Sequence, residues 1–343
     1  MVAQTFPLVT VRGGARRMGQ QHGEAAADLI QGYLVLIERL TGKSRDVLCA
    51  NAMTFWPRME ALGTSFTEEV RGLAEGAGIS LEEAVLCQVR AEAGHAGGEG
   101  CTAFALRGEA TADGGILVGQ NHDVTPEHAD VSILLRLLPD DGRPRALIYT
   151  FAGQIGYFGM NQHGVTNYAN SVYDFQWQPG LAHYPLKRLM LEQTTAEDAL
   201  ALYDQHAVCS AANIVTSDAG GAIADLEIRP EGVARYVGDH PDAIIHTNHY
   251  LSDAFRPLET GSLPDSFSRH RRMTELVREA WGTITVETMQ AFLADHEGDP
   301  AGICRHGARG MHSTSGHIAE PQRGVMHVRR GHGCLGSWET YTV

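Results

Sequence analysis

The order of elements along this 343-residue chain predicts an α+β layered domain, two sheets packed together with helices outside. Three observations lead there. Apolar residues at helical spacing fill most of the stretch before Gly94, and from there the pattern breaks into short β-type runs parted by turn residues. Further on, helical and strand-like segments alternate in blocks.

In the first block, Ala25, Leu29, Tyr33, Leu36, Ile37 and Leu40 recur at helical spacing over Arg16–Thr41, and Gly42 follows as a helix stop. Thr67-Glu68-Glu69-Val70 opens a helix with acids in its first turn, where the helix dipole favours them; Ser80-Leu81-Glu82-Glu83 opens another with capping-box spacing. The run Gly94-His95-Ala96-Gly97-Gly98-Glu99-Gly100 suits neither helix nor strand and marks a boundary. Strands are expected over Cys101–Leu106, Ile116–Gly119, Val131–Leu138, Ala146–Phe151 and Gly164–Tyr168. With Asp113-Gly114-Gly115 and Asp140-Asp141-Gly142 as hairpin turns, they imply antiparallel sheet. Helices follow over Leu186–Gln193 and Ala196–Gln205, then strands over Asn213–Thr216 and Ala222–Ile228 joined by Asp218-Ala219-Gly220-Gly221. Two helices, roughly Ser266–Ala280 and Val286–Ala294, precede a last hairpin of Ser315–Glu320 and Val325–Arg329.

With 41 acidic against 27 basic side chains the formal net charge is −14, which argues against a nucleic-acid partner. No run is apolar for long enough to span a membrane, and Met1–Gly14 lacks the features of a signal peptide, so a cytoplasmic protein is expected. The six cysteines, 49, 87, 101, 209, 304 and 334, are scattered without a C-x-x-C pair and read mostly as buried free thiols. The 17 histidines, His306, His312, His317, His327 and His332 among them, show no H-E-x-x-H pair and no Cys/His tetrad at structural-zinc spacing. They read as solvated loop residues, and no metal or cofactor is expected. There is likewise no G-x-S-x-G elbow, no G-x-x-x-x-G-K-[ST] phosphate loop, and no G-x-G-x-x-G turn between a β-run and a helix.

Cys101 stands where the glycine-rich loop ends and the apolar strand Cys101–Leu106 begins. A lone cysteine there reads either as a structural thiol or as a nucleophile. In the second reading, Gly100 leaves room for the thiol to reach the Gly100 carbonyl, and an N-to-S acyl shift followed by cleavage leaves Cys101 as a new N-terminus. Its α-amine, with a reference pKa of about 7.7–8.0, would then be the general base for its own thiol. Such chemistry needs oxyanion donors and groups that orient the amine. Asp123, Asn170 and Asn248 each end a strand-like run and qualify, though each also reads as an ordinary turn or strand-end residue. Arg305 qualifies as a cation for Asp123 or for a substrate carboxylate, and also reads as a surface arginine. Phe104, Tyr157, Phe158 and Trp177 read as core before pocket.

Taken in order, six stretches resemble the acyl-coenzyme A:6-aminopenicillanic acid acyltransferase (isopenicillin N acyltransferase) family, a branch of the N-terminal-nucleophile hydrolases. They are Gly19-Gln20-Gln21-His22-Gly23, Gly100-Cys101-Thr102, Gly119-Gln120-Asn121-His122-Asp123, Gly159-Met160-Asn161-Gln162-His163-Gly164, Thr247-Asn248-His249 and Ile303-Cys304-Arg305-His306. The resemblance implies a four-layer αββα sandwich with a helical N-terminal segment. It also implies a precursor that cleaves itself between Gly100 and Cys101, and fragments 1–100 and 101–343 held as one folded unit. It makes Cys101 the nucleophile, Asp123 the residue that positions its amine, Asn170 and Asn248 the oxyanion and amine-side groups, and Arg305 a site cation. The Asn170 assignment comes from similarity to the related choloylglycine hydrolases and penicillin V acylases. Those enzymes carry arginine three residues before the aspartate, where this chain has Gln120.

The expected function is therefore a self-processing amidohydrolase or acyltransferase of secondary metabolism. It would pass the acyl group of a small N-acyl compound, or of a coenzyme A thioester, through a thioester on Cys101 to water or an amine. No membrane partner is expected, and a homo-oligomer is compatible with the sequence. The competing readings are a histidine-ligated metallohydrolase and a non-catalytic binding protein that keeps the fold.

Overall fold

The computed structural model describes residues 5–95, 99–174 and 177–343. It opens with β1 (Leu8–Gly13) and continues through α1 (Ala15–Thr41), α2 (Arg45–Met53), α3 (Trp56–Glu60), α4 (Thr64–Ala77), α5 (Leu81–Gln88) and α6 (Arg90–Gly94). The strands β2 (Gly100–Leu106), β3 (Leu117–Val124), β4 (Ser132–Pro139), β5 (Ala146–Phe151), β6 (Phe158–Asn161) and β7 (Tyr168–Asn170) come next. Then follow α7 (His183–Met190), α8 (Ala196–Gln205), β8 (Ala212–Ser217), β9 (Ile223–Arg229), β10 (Gly232–Tyr236) and β11 (Ala243–His246). The chain closes with α9 (Pro264–Glu279), α10 (Val286–Phe292), β12 (His312–Glu320), β13 (Val325–Arg330) and β14 (Trp338–Thr342).

A six-stranded sheet, β11-β2-β3-β12-β13-β14, forms one inner layer. The other is made of two four-stranded sheets, β1-β4-β5-β6 and β10-β9-β8-β7, joined side by side where Met160 bridges to Thr166. Alternation along β2 shows the layering. Ala103 and Ala105 face the opposite sheet and belong to the main core, whereas Phe104 and Leu106 face outward onto Met273 and Val277 of α9 and Met289 of α10. Tyr149 of β5 meets His317 of β12 with the rings tilted and their centroids 4.6 Å apart, so the inner sheets are in contact. α1 covers β1 and β4, and α8 covers β9 and β10. The molecule is the four-layer αββα sandwich that the resemblance implies, and its main core takes Tyr33 and Ile37 from the helical segment together with Val118 and Ala319 from the sheets.

Glycine holds the helical segment tightly together. A Cβ on Gly72 of α4 would stand 2.0 Å from the Arg16 carbonyl oxygen, and one on Gly19 of α1 would stand 2.0 Å from that of Glu69. Gly19 and Gly23 of the first motif are therefore backbone contact points between α1 and α4.

Several expectations need correction. β1 lies in the stretch read as mainly helical, yet its alternating burial is that of a half-buried strand, and it pairs parallel with β4 rather than antiparallel. The strand expected over Gly164–Tyr168 lies instead at Tyr168–Asn170, because Gly164 takes a left-handed turn at φ 72°. Helix α7 begins at His183 rather than Leu186. β10 and β14 end their sheets and are largely solvent-facing, so their apolar pattern is weak. Among the described residues no helix is long and apolar enough to cross a membrane.

Candidate active site

β2 and β3 lie side by side with Gly100 opposite Asp123 and Cys101 opposite His122. Residues opposite one another share a face, so Cys101, Gln120 and His122 point between the inner sheets, while Gly100, Thr102, Asn121 and Asp123 point toward α9 and α10. Cys101 is fully buried. Burial, together with the Glu99 and Asp123 carboxylates, pushes its thiol well above the usual cysteine range, and Arg269 only partly opposes them.

Asn248, just beyond β11, brackets the Gly100–Cys101 peptide. Its Oδ1 accepts from the Cys101 N–H at 3.0 Å, and its Nδ2 donates to the Glu99 carbonyl at 3.2 Å and to the Ser171 carbonyl at 2.8 Å. Asp123 and Arg305 meet on the other face. Arg305 Nη1 is 3.9 Å from Asp123 Oδ2, and Ser313 Oγ donates to Asp123 Oδ1 at 2.6 Å. The carboxylate is fully buried, with Arg305 as its nearby cation and Oδ1 hydrogen-bonded, while Oδ2 has no hydrogen-bond partner among the described residues. Arg305 also pairs with Asp265 at the start of α9. Residue 100 has no room for a side chain, because a Cβ there would lie 2.4 Å from Arg305 Nη1 and 3.1 Å from the Asp123 Cβ. Arg305, read on its own as a surface residue, is in fact fully buried.

Asn170 ends β7, which packs against β2, and it directly precedes Ser171, whose carbonyl accepts from Asn248. Asn170 Nδ2 donates to Asn213 Oδ1 at 2.9 Å and lies 3.5 Å from His246 Nδ1, within a buried network that continues through Asp225 and Glu227. The amide nitrogen is thus engaged by Asn213 of the neighbouring β8.

The fold adds a residue the sequence reading missed. Arg269 of α9, fully buried, donates from Nη1 to the Cys101 carbonyl at 2.6 Å and to Thr102 Oγ1 at 2.9 Å, and from Nη2 to Asn248 Oδ1 at 2.7 Å. Its signal lay in α9, where it falls on the same buried stripe as Ser266, Met273 and Val277. Gln120, at the position where the related hydrolases carry arginine, places its Nε2 3.7 Å from Cys101 Sγ.

Glu99 connects the junction to a second polar group. It pairs with Arg90, accepts from Tyr157 Oη at 2.6 Å and lies 3.4 Å from His122 Nε2. Burial opposes its ionisation, yet Arg90 and His122 hold its carboxyl well below the usual range. A cavity of about 230 Å³ opens beside it, lined by Tyr33, Leu36, Ile37, Arg90, Tyr184 and Met311 among others. Phe104, Tyr157 and Phe158 are core residues, whereas Trp177 lines a smaller recess on the other side of Glu99, with Asn170 and Lys187. Burial draws the Lys187 ammonium down to about 8, over the rings of Tyr157, Phe158 and Tyr184.

Comparisons with known proteins place this fold in a family. The family model for acyl-coenzyme A:6-aminopenicillanic acid acyl-transferase matches residues 110–319. The 40 kDa form of acyl-coenzyme A:6-aminopenicillanic-acid-acyltransferase from Emericella nidulans is 30% identical over 307 residues, 87% of this chain and 84% of that protein. The chain belongs to this family of acyl-transferring enzymes. Among solved structures, a mutant of the conjugated bile acid hydrolase from Clostridium perfringens aligns at 11% identity and a TM-score of 0.46, over 71% of this chain and 97% of that one. The penicillin V acylase of Agrobacterium tumefaciens aligns at 13% identity and a TM-score of 0.42, over 67% and 83%.

Proposed function

We propose that the chain is a precursor that cleaves itself between Gly100 and Cys101, and that Cys101 is then the nucleophile of an amidohydrolase or acyltransferase acting on a small N-acyl compound. The observation that carries this reading is the arrangement of Asn248, Arg269, Asp123 and Arg305 around one peptide bond in which residue 100 has no space for a side chain.

In the first stage Cys101 Sγ attacks the Gly100 carbonyl carbon. The C–S bond forms, the C–N bond breaks, and the thiol proton passes to the departing amine of Cys101. Water then hydrolyses the thioester, leaving a Gly100 carboxylate and a free thiol and amine on Cys101. The raised thiol pKa of the intact chain keeps Cys101 protonated until a proton acceptor forms beside it. Cleavage supplies that acceptor as the α-amine, with Asn248 Oδ1 already at its nitrogen. It also places a new carboxylate at Gly100 beside Asp123 and Glu99, and like charges in a buried site repel. Departure of residues 99–100 releases Asn248 Nδ2 from the Glu99 carbonyl, making it available to the oxyanion of an incoming acyl group.

In turnover, Cys101 Sγ attacks the acyl carbonyl of the donor, the α-amine takes the thiol proton and returns it to the leaving amine or thiol, and water or an amine resolves the thioester. The named relative is an acyl-coenzyme A acyltransferase, and the family's donor chemistry makes both amides and coenzyme A thioesters suitable first substrates. The partly apolar cavity beside Glu99 supports an acyl chain as the group bound. The test is incubation with a panel of N-acyl amino acids and acyl thioesters, with and without amine acceptors, followed by peptide mapping. An acyl adduct on Cys101, and loss of both cleavage and turnover in Cys101→Ala, are expected; turnover that survives Cys101→Ala overturns the assignment.

A further inference from the structure

Arg305 is flanked by Cys304 and His306, and these two side chains meet His296, from the segment after α10, and Cys334, from the connection between β13 and β14. The four ligand atoms all lie within 4.8 Å of one another. Cys304 Sγ and Cys334 Sγ are 3.9 Å apart, His306 Nε2 is 3.4 Å from each sulfur, and His296 Nε2 is 3.1 Å from His306 Nε2.

A tetrahedral zinc ion with Zn–S of about 2.3 Å and Zn–N of about 2.0–2.1 Å requires S···S, S···N and N···N edges of about 3.8, 3.6 and 3.3 Å. These four edges meet those values to within about 0.3 Å. Without a cation the cluster is poorly satisfied, since two imidazole nitrogens face each other with at most one shared proton and the thiols are weak donors. Two sulfurs and two nitrogens are the donor set of a zinc site, and with four protein ligands no position is left for water. The surroundings suit it as well. The His332 ring stacks on His306 at 4.2 Å and its Nε2 lies 3.1 Å from His312 Nδ1, while Arg329 anchors the floor through Asn121 Oδ1 and the Gly331 carbonyl.

We propose that His296, Cys304, His306 and Cys334 bind one Zn²⁺ as a closed structural site that ties three segments together and fixes the stretch carrying Arg305. Binding displaces the two thiol protons, so the loaded centre is electrically neutral. The sequence led to the opposite expectation because the ligands are a Cys-x-His pair and two distant single residues, a spacing that only the fold makes into a tetrad. His317 and His327, grouped with His306 in the metal reading of the sequence, lie elsewhere, against Tyr149 and Glu320 respectively. The site stands independently of the catalytic reading; only its hold on Arg305 rests on that reading.

The experiment is elemental analysis of the full chain purified without chelator, paired with cobalt substitution and intact mass under non-reducing conditions. One equivalent of zinc per chain is expected, with tetrahedral Co²⁺ bands and a thiolate charge-transfer band after exchange. Zinc content should fall to about one tenth or less in Cys334→Ser and in His296→Ala, while His163→Ala, outside the cluster, retains it. Zinc removal should also lower the thermal midpoint. Metal-free protein with an unchanged midpoint and no cobalt spectrum overturns the site, as does a Cys304–Cys334 disulfide detected as a loss of two hydrogens. Cleavage at Gly100–Cys101 is read in the same mass spectra and should be slowed in Cys334→Ser. Zinc binding with unchanged cleavage in that variant upholds the site and overturns its coupling to Arg305.

Discussion

Arg269 and Arg305 reach the same peptide from one face of the six-stranded sheet, and two carboxylates, Asp123 and Asp265, balance them in the buried interior. Arg269 makes the more direct contact, because its charge-assisted bonds fall on the Cys101 carbonyl and on Asn248. Such bonds are worth about 1.5–3 kcal/mol each, so Arg269→Met should slow cleavage by roughly ten- to a hundredfold. Time-resolved mass spectrometry of refolded precursor would measure this, and an unchanged rate would remove Arg269 from the site. Gly100→Ala should impair cleavage through a different cause, the collision of its Cβ with Arg305 and Asp123. Cys101, Asp123, Asn248 and Arg305 were legible in the sequence because each sits at a strand end or a short motif. Arg269 was not, since one arginine in the charged run Arg269-His270-Arg271-Arg272 is set apart only by its place on the buried stripe. Ser313, which donates to Asp123 Oδ1, is brought to it by the pairing of β12 with β3, a contact between distant parts of the chain.

At the scale of elements, the α1–α4 contact depends on four glycines rather than on large apolar side chains. Gly72→Ala would drive a methyl group to 2.0 Å from the Arg16 carbonyl oxygen, and Gly76→Ala to the same distance from that of Gln20. Each should cost roughly 1–3 kcal/mol or more, because neither backbone can yield without separating the helices. Urea denaturation would show the loss as a lowered midpoint, and an unchanged midpoint would remove the glycine contact from the account. The helices and hairpins of the sequence reading survived because capping boxes and turn glycines are local signals. The edge strands β10 and β14 and the parallel partner β1 were hidden, since solvent-facing strands carry little alternation and a parallel pairing has no hairpin to announce it.

On the scale of the whole molecule, burial of neutral histidines sets the acid limit. Burial pulls His22 and His183 down to about 4 and His128 to about 3, and His317 lies well below its usual range. Below pH 6.5 the unfolded chain takes up protons at these residues that the folded chain refuses, so stability is full above about 6.5 and falls toward pH 4. Glu92, Asp225 and Glu259, raised by burial to about 7, act in the opposite sense, but the lowered histidines, which also include His249, His270 and His332, outnumber them. The net slope near pH 5.5 should be positive, with the denaturation midpoint lower at pH 5 than at pH 7; a flat profile would show these histidines to be solvated. Residues on both sides of Gly100 share one core, which would hold the two pieces together after a cut. The cut itself is tested most directly by the intact mass of the purified protein under denaturing conditions. Two polypeptides, residues 1–100 and 101–343, are expected, their masses adding to that of the 37.1 kDa chain plus one water. A single uncleaved mass from protein that turns over an acyl substrate would contradict self-cleavage at Cys101.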